Sequence, residues 1–225
     1  MQLVILCGGK GTRLKNLTKK TVKPMLLFRK KPFLERLIEY FYKQGFNKIL
    51  LLCGYKSIQI QKYFIKRKKY NLKFSIENKP LGTGGAIKNA FNLLEKKFIL
   101  INGDSFLPEN YKRFKSKLND NKKLIITVYN NKNNKLITNN ILIKENKIVR
   151  YSKKYNKNFN YVDAGVYIIK KEIFINIKQN IFSFEKYFFN KLIKKNEIDF
   201  IKTKNFFYDI GTKTKLQTYR KKLKF

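Results

Sequence analysis

Residues 3–25, LVILCGGKGTRLKNLTKKTVKPM, limit what this chain can fold into more than any other stretch. They open with an apolar run, Leu3 to Cys7, that reads as a buried strand. Gly8, Gly9 and Gly11 follow at once, then Thr12 and Arg13. Glycines there let the backbone turn tightly and bring several N–H dipoles up to one ligand, a nest that suits a polyphosphate. Lys23 adds a cation, and Pro24 after it fixes its own φ. Two other glycine loops are excluded. The dinucleotide fingerprint needs a third glycine where Leu14 stands, and a P-loop needs Gly-Lys-Ser/Thr where Gly11-Thr12-Arg13 stands. Pro32 suits a first helical turn, so the helix waits until about there and the loop before it is long, polar and cationic.

Beyond the loop, short apolar strands alternate with helices. Phe33, Leu37 and Phe41, with Leu34, Ile38 and Tyr42, form a helical stripe over 32–44 that Gly45 stops. A strand over 48–53, a helix from a Ser57 cap to about 66 and a strand over 72–77 come next. Gly82 to Gly85 then open a helix through about 94, followed by a strand over 98–101 and, after Pro108, a helix to about 118. This order predicts an α/β fold: a Rossmann-like mixed, mainly parallel sheet flanked by helices. Ligands bind such sheets beyond the carboxyl ends of the strands, where loops 8–13, 77–85 and 103–104 converge. Strands over 124–129, 137–143, 147–151 and 161–169, joined by Asn/Lys-rich turns, read as an α+β extension. Ser183 caps a helix over 184–194; strands at 200–201 and 206–210 and a helix over 213–223 close the chain. The whole reads as one domain, 1–225, in two parts, 1–120 and 121–225.

Composition removes several function classes. The 52 Lys+Arg against 14 Asp+Glu make a formal charge of +38, but the lysines run along the whole chain among asparagines and isoleucines. That pattern reads as compositional bias and a solvated cationic surface. A nucleic-acid-binding protein would instead show a basic aromatic patch, and here the aromatics follow core periodicity, so no nucleic-acid partner is expected. The chain has no histidine, which removes imidazole bases and ligands. Cys7 and Cys53 read as buried free thiols. No apolar run approaches the ~18 residues of a membrane span, and residues 1–2 lead straight into a strand without a signal peptide, so a cytoplasmic protein without membrane insertion is expected. Both a monomer and a homo-oligomer remain open.

In so acid-poor a chain Asp104, after a strand and Gly103, and Asp209, before Gly211, stand out as hard oxygen donors. Here a family comes into view. CGGKGTRL followed by KPM resembles the signature of sugar-phosphate nucleotidylyltransferases, and PLGTGGAI, NGDSF, VDAGVY and YDIGT recur in family order across nearly the whole chain. The resemblance implies the nucleotide-diphospho-sugar transferase fold, Mg2+ held by Asp104 and Asp209, and a nucleoside triphosphate and a sugar 1-phosphate as substrates. It implies nucleotide contacts at Leu6, Gly8, Gly9, Gly11, Thr12, Arg13, Gly82 and Thr83. Arg13, Lys23 and Asp104 become the catalytic residues, with Lys23 also on the sugar phosphate. By the same resemblance 1–120 is the nucleotide-binding part and 121–225 the sugar-binding part, with Asp163 and Gly165 at the sugar. Lys153 stands where many relatives carry a glutamate. The run Glu77 to Ile87 most resembles manno-heptose 1-phosphate and mannose-1-phosphate guanylyltransferases; uridylyl or cytidylyl transfer is the alternative. Glu77, ending a strand at the binding edge, favours guanine, because a carboxylate accepts the N1–H and the 2-amino group together.

Overall fold

The structure, a computed structural model, describes residues 1–11, 14, 17–18, 21–28, 30–114, 117, 121–131, 137–154 and 156–222. The first half runs β1 (Gln2–Leu6), β2 (Leu27–Phe28), β3 (Lys31–Pro32), α1 (Phe33–Tyr42), β4 (Ile49–Cys53), α2 (Ser57–Ile65), β5 (Leu72–Ile76), α3 (Gly82–Asn89), β6 (Lys97–Asn102) and β7 (Ser105–Phe106). The second runs β8 (Leu124–Tyr129), β9 (Ile141–Lys144), β10 (Lys147–Tyr151), β11 (Val162–Lys170), α4 (Phe184–Lys194), β12 (Ile198–Thr203), β13 (Tyr208–Asp209) and α5 (Lys213–Lys222).

A seven-stranded sheet in the order β12-β8-β11-β6-β1-β4-β5 forms the centre. Its strands are buried on both faces, so alternate residues feed two cores. Leu3, Ile5, Leu51 and Ile101 face α1, α2 and α5; Val4, Leu50, Leu52 and Leu100 face α3 and α4. Every neighbouring pair is parallel except the two that β11 makes, with β6 and with β8. The expected mainly parallel sheet is therefore found, with β11 as its reversed member.

That reversal positions the site. Six strands end at one edge, and β11 begins there, Val166 lying opposite Ile101 and Asp163 opposite Val128. The β11–β8 register slips between Asp163 and Tyr167, and Gly165 takes φ +70 inside the slip, a left-handed angle that glycine adopts without strain. A Cβ on Gly165 would stand 2.9 Å from Asn102 Nδ2.

Several local expectations need correction. Of the four strands read as an extension, β8 and β11 belong to the main sheet, and β9 and β10 form a separate two-stranded hairpin. The strand expected over 137–143 starts at Ile141, because Asn139 and Asn140 bond across to Phe159 and Asp163. In place of an α-helix after Pro108 there is a 3-10 turn, Tyr111–Phe114, whose i and i+3 aromatics are both buried; Leu118 lies outside the described residues, as does Leu223. The helix expected through 94 breaks at Asn89 and resumes as a 3-10 turn, Phe91–Leu93. Ser57 does not cap α2: Lys56 holds the cap position at φ 53 without a side-chain bond. Pro32 is likewise the extended residue before α1. Ser183 does cap α4, its hydroxyl accepting the Lys186 N–H. The strands at 200–201 and 206–210 are found as Ile198–Thr203 and Tyr208–Asp209.

Candidate active site

A cavity of about 940 Å³ opens along the shared sheet edge. From the β1 end it is lined by Leu6, Cys7, Gly8, Gly9, Lys10 and Gly11, and from the β4 end by Gly54, Tyr55 and Lys56. Glu77, Gly82 and Thr83 line it after β5, and Lys23, Asp104 and Asp209 line its middle. Asn139, Asn140, Tyr151, Lys153, Asp163, Gly165, Tyr167 and Glu185 line the opposite end. Of the residues singled out from sequence, Thr12 and Arg13 lie outside the described residues; all the others line this cavity.

Two aspartates that are far apart in sequence meet through the small β7–β13 ladder. Asp209 pairs with Ser105, and the Ile210 N–H donates to the Asp104 carbonyl at 2.9 Å. Asp104 thus stands one residue before the cross-strand partner of Asp209, and both line the cavity. Both carry lysines. Lys23 Nζ donates to Asp104 Oδ2 at 2.8 Å, and Lys215 Nζ donates to Asp209 Oδ2 at 2.7 Å. Two carboxylates flanking one ladder beside open space form a hard-oxygen donor set that fits a divalent ion completed by water and phosphate. Lys23 is not the exposed loop residue its neighbours suggest: it is 7% exposed, its stem lying beside Gly11 and its ammonium on Asp104.

Glu77 sits in a slot made by glycines. A Cβ on Gly54 would lie 2.5 Å from Glu77 Oε1, and one on Gly8 would lie 3.0 Å from the same oxygen. No side chain larger than hydrogen fits at residue 54 with the carboxylate where it is. Glu77 Oε2 accepts the Leu81 N–H at 3.3 Å. Burial raises the Glu77 pKa, and the Leu81 bond works against that. Nearby, burial pushes the Cys7 thiol well above its ordinary value, with Cys53 beside it adding to the effect. Cys7 is thus a neutral thiol.

The opposite end is made of side chains. Asp163 Oδ1 accepts the Gly165 N–H and Oδ2 accepts the Tyr167 hydroxyl, both at 2.8 Å. Burial nevertheless pushes Asp163 from its ordinary 3.8 up to about 6, the two bonds offsetting part of the rise. Glu185, which the sequence reading missed, stands in the first turn of α4. Its Oε2 accepts the Ser183 hydroxyl at 2.7 Å and the Thr83 hydroxyl at 3.1 Å, and Lys153 Nζ lies 3.5 Å away. Burial would raise the Glu185 pKa, but the Lys153 charge and these hydroxyl bonds together hold it below the ordinary value. The Thr83 hydroxyl also accepts the Phe184 N–H at 2.8 Å, so this side chain fastens α3 to α4 as it lines the cavity. The glycines after it serve packing: a Cβ on Gly85 would stand 2.2 Å from the Asn180 carbonyl oxygen. A Ser-x-Glu helix start was the one sequence signal for Glu185, and it reads equally as ordinary capping.

A glycine-rich backbone loop, a carboxylate pair with cations and a polar side-chain pocket thus share one edge of the sheet. Residues 2–224 match the family described as Nucleotidyl transferase. The chain belongs to that family. Among curated members, D-glycero-alpha-D-manno-heptose 1-phosphate guanylyltransferase of Campylobacter jejuni subsp. jejuni is 36% identical over 213 residues, spanning 94% of this chain and 95% of that one. The enzyme of the same name from Aneurinibacillus thermoaerophilus is 34% identical over 216 residues, spanning 94% and 93%. The crystal structure of HddC from Yersinia pseudotuberculosis complexed with GMP-PN superposes with a TM-score of 0.86 at 35% identity, covering 99% of both chains. The inositol-1-phosphate CTP transferase from T. maritima, 18% identical with a TM-score of 0.82 over 98% of this chain and 93% of that one, shares the nucleotidyl transferase fold. The sugar-phosphate nucleotidylyltransferase family read from the five motifs is the family found. Among the described residues no helix is long and apolar enough to cross a membrane.

Proposed function

We propose that this protein transfers GMP from GTP to a manno-heptose-type sugar 1-phosphate, releasing pyrophosphate and forming a nucleotide-linked sugar for lipopolysaccharide or another surface polysaccharide. The observation that carries this reading is the cavity itself. Along one edge it joins a backbone nest, a carboxylate slot, an aspartate pair with lysines and a hydroxyl-binding pocket. The names of the full-length relatives support the guanylyl group and the heptose. Both substrates belong to the cytoplasm, where we place the enzyme.

In this reading the glycine loop, with Arg13, holds the triphosphate, and Glu77 accepts the two adjacent donors of guanine. Uracil offers one donor between two carbonyls, so it would face the Glu77 carboxylate unfavourably. Asp163 and Gly165 orient the sugar, and Lys23 neutralises the phosphates that meet between the two ends. A sugar phosphate oxygen attacks the α-phosphorus in line with departing pyrophosphate. The attacking oxygen is already ionised near neutrality, so no general base is required and the lack of histidine costs nothing. Rate then comes from positioning and charge neutralisation. Asp104 and Asp209 would hold Mg2+, which supplies Lewis-acid charge on the phosphates when bound.

The test is a matrix of GTP, UTP, CTP, ATP and dTTP against sugar 1-phosphates, read by pyrophosphate release. GTP with D-glycero-α-D-manno-heptose 1-phosphate should give the highest catalytic efficiency. A preference for UTP or CTP would overturn the guanine assignment, and no release with any pair would overturn the activity.

A further inference from the structure

Asp209 meets a cation that nucleotidyl transfer does not call for. Its Oδ1 accepts the Gly211 N–H at 2.6 Å, and its Oδ2 accepts Lys215 Nζ at 2.7 Å. The pair is well covered, with side chains 14% exposed at Lys215 and 22% at Asp209. By contrast, the surface pair Lys48–Glu95 has side chains 70% and 33% exposed. Lys215 itself is not among the residues that line the cavity.

The backbone that presents Lys215 is fixed. The Thr212 hydroxyl accepts the Lys215 N–H at 3.3 Å, the Leu216 N–H donates to the Thr212 carbonyl at 2.9 Å, and Leu216 and Tyr219 are buried in the core. The ammonium therefore reaches Asp209 from a packed helix. Its position is also unfavourable for that helix. Lys215 lies in the first turn of α5, which holds no acidic residue, and a cation there opposes the positive end of the helix dipole. The Asp209 carboxylate offsets that cost.

A divalent ion that takes Asp209 Oδ2 meets an ammonium already bonded to that oxygen, and two cations on one carboxylate repel each other. We infer that Lys215 is a tethered counter-cation that competes with the divalent ion for Asp209. It is a positioning residue: it holds the carboxylate in place before the ion arrives and sets the ion concentration at which the site loads. This inference rests on the reading of Asp104 and Asp209 as the metal pair.

The test measures Mn2+ binding directly, by the electron paramagnetic resonance signal of free Mn2+, in the full chain without substrates. Lys215→Met keeps the aliphatic stem and removes the charge, and it should tighten Mn2+ binding about fivefold, the scale of a partly covered ion pair. Lys215→Arg keeps the cation and should stay within about twofold of the wild type. Lys215→Gln, a second neutral variant that does not depend on an apolar side chain being tolerated, should tighten binding as Met does. Asp209→Asn separates the two readings. If it leaves Mn2+ affinity unchanged, the metal pair is wrongly assigned. If it weakens binding while the neutral Lys215 variants bind like the wild type or more weakly, the metal pair stands and the competing role of Lys215 is overturned. A merely structural role would lower the unfolding temperature of the neutral variants without tightening the ion.

Discussion

The two ends of the cavity are built from different materials. The glycine-loop end presents mostly backbone at Gly8, Gly9, Gly11 and Gly54, with a single carboxylate, Glu77, set against Gly8 and Gly54. The Asp163 end presents side chains drawn from β10, β11 and α4, tied together by Tyr167, Ser183, Thr83 and Lys153. Backbone N–H groups recognise phosphate, which every nucleoside triphosphate carries. Side chains recognise shape and hydroxyl pattern, which differ from sugar to sugar. In the proposed reading the first end meets what all nucleoside triphosphates share and the second meets what distinguishes one sugar from another, and Lys153 stands at the second. The aspartates and their lysines sit where the ends meet and belong to neither.

That division can be broken by experiment. The largest effect is expected at the junction. Asp104→Asn or Asp209→Asn keeps the shape but removes the anionic charge proposed to hold the ion, and turnover should fall at least ~10²-fold with saturating magnesium. Full turnover by either variant would remove it from the shared centre. Lys23→Met should come next, and it should harm both activity and folding. Because Lys23 is buried against Asp104, its loss leaves a partly covered carboxylate unpaired, for a cost of about 1–2 kcal/mol in urea unfolding. Unchanged unfolding with a lowered rate would return Lys23 to an exposed loop.

At the glycine-loop end, Glu77→Gln should lower the ratio of GTP to UTP efficiency by about tenfold or more, since buried polar groups left unmatched discriminate strongly. Gly54→Ala should do the same without touching any charge, because its Cβ needs the place of Glu77 Oε1. If Glu77→Gln shifts the ratio and Gly54→Ala does not, the slot is looser than the structure draws it. The smallest effect belongs to the opposite end. Asp163 holds its proton up to about pH 6 when folded, against an ordinary 3.8, so the folded state binds that proton more tightly. Its contribution favours folding fully below about pH 4 and is lost as pH rises to about 6. Asp163→Asn should remove that part of the pH dependence, seen as the difference between variant and wild-type unfolding temperatures over pH 4–6. Parallel curves would show an Asp163 that titrates as it does in the unfolded chain.

How much was legible beforehand differs between the same two ends. The glycine loop, the strand–helix alternation, Glu77 at a strand end and the Ser183 cap are all local patterns. Each reports a backbone conformation or a burial period within a few residues. The far end was half legible: Asp163 stood out, but Glu185 looked like a helix-start acid until Thr83 and Ser183 were found bonded to it. Lys215 had no signal at all, since one lysine among so many cannot be told apart by type.

By itself the sequence determined the mainly parallel sheet and the edge at which the cavity opens, because apolar periodicity and glycine placement dictate backbone hydrogen bonding locally; the family came from five motifs that resemble its members. Only the tertiary structure decided that β11 runs backwards, which delivers Asp163 and Gly165 to that edge from the start of a strand. It alone paired β7 with β13, bringing Asp104 to Asp209, buried Lys23 and set Lys215 against its carboxylate. These are contacts between residues distant in the chain. Their energies depend on which elements pack together, and no local pattern records that choice.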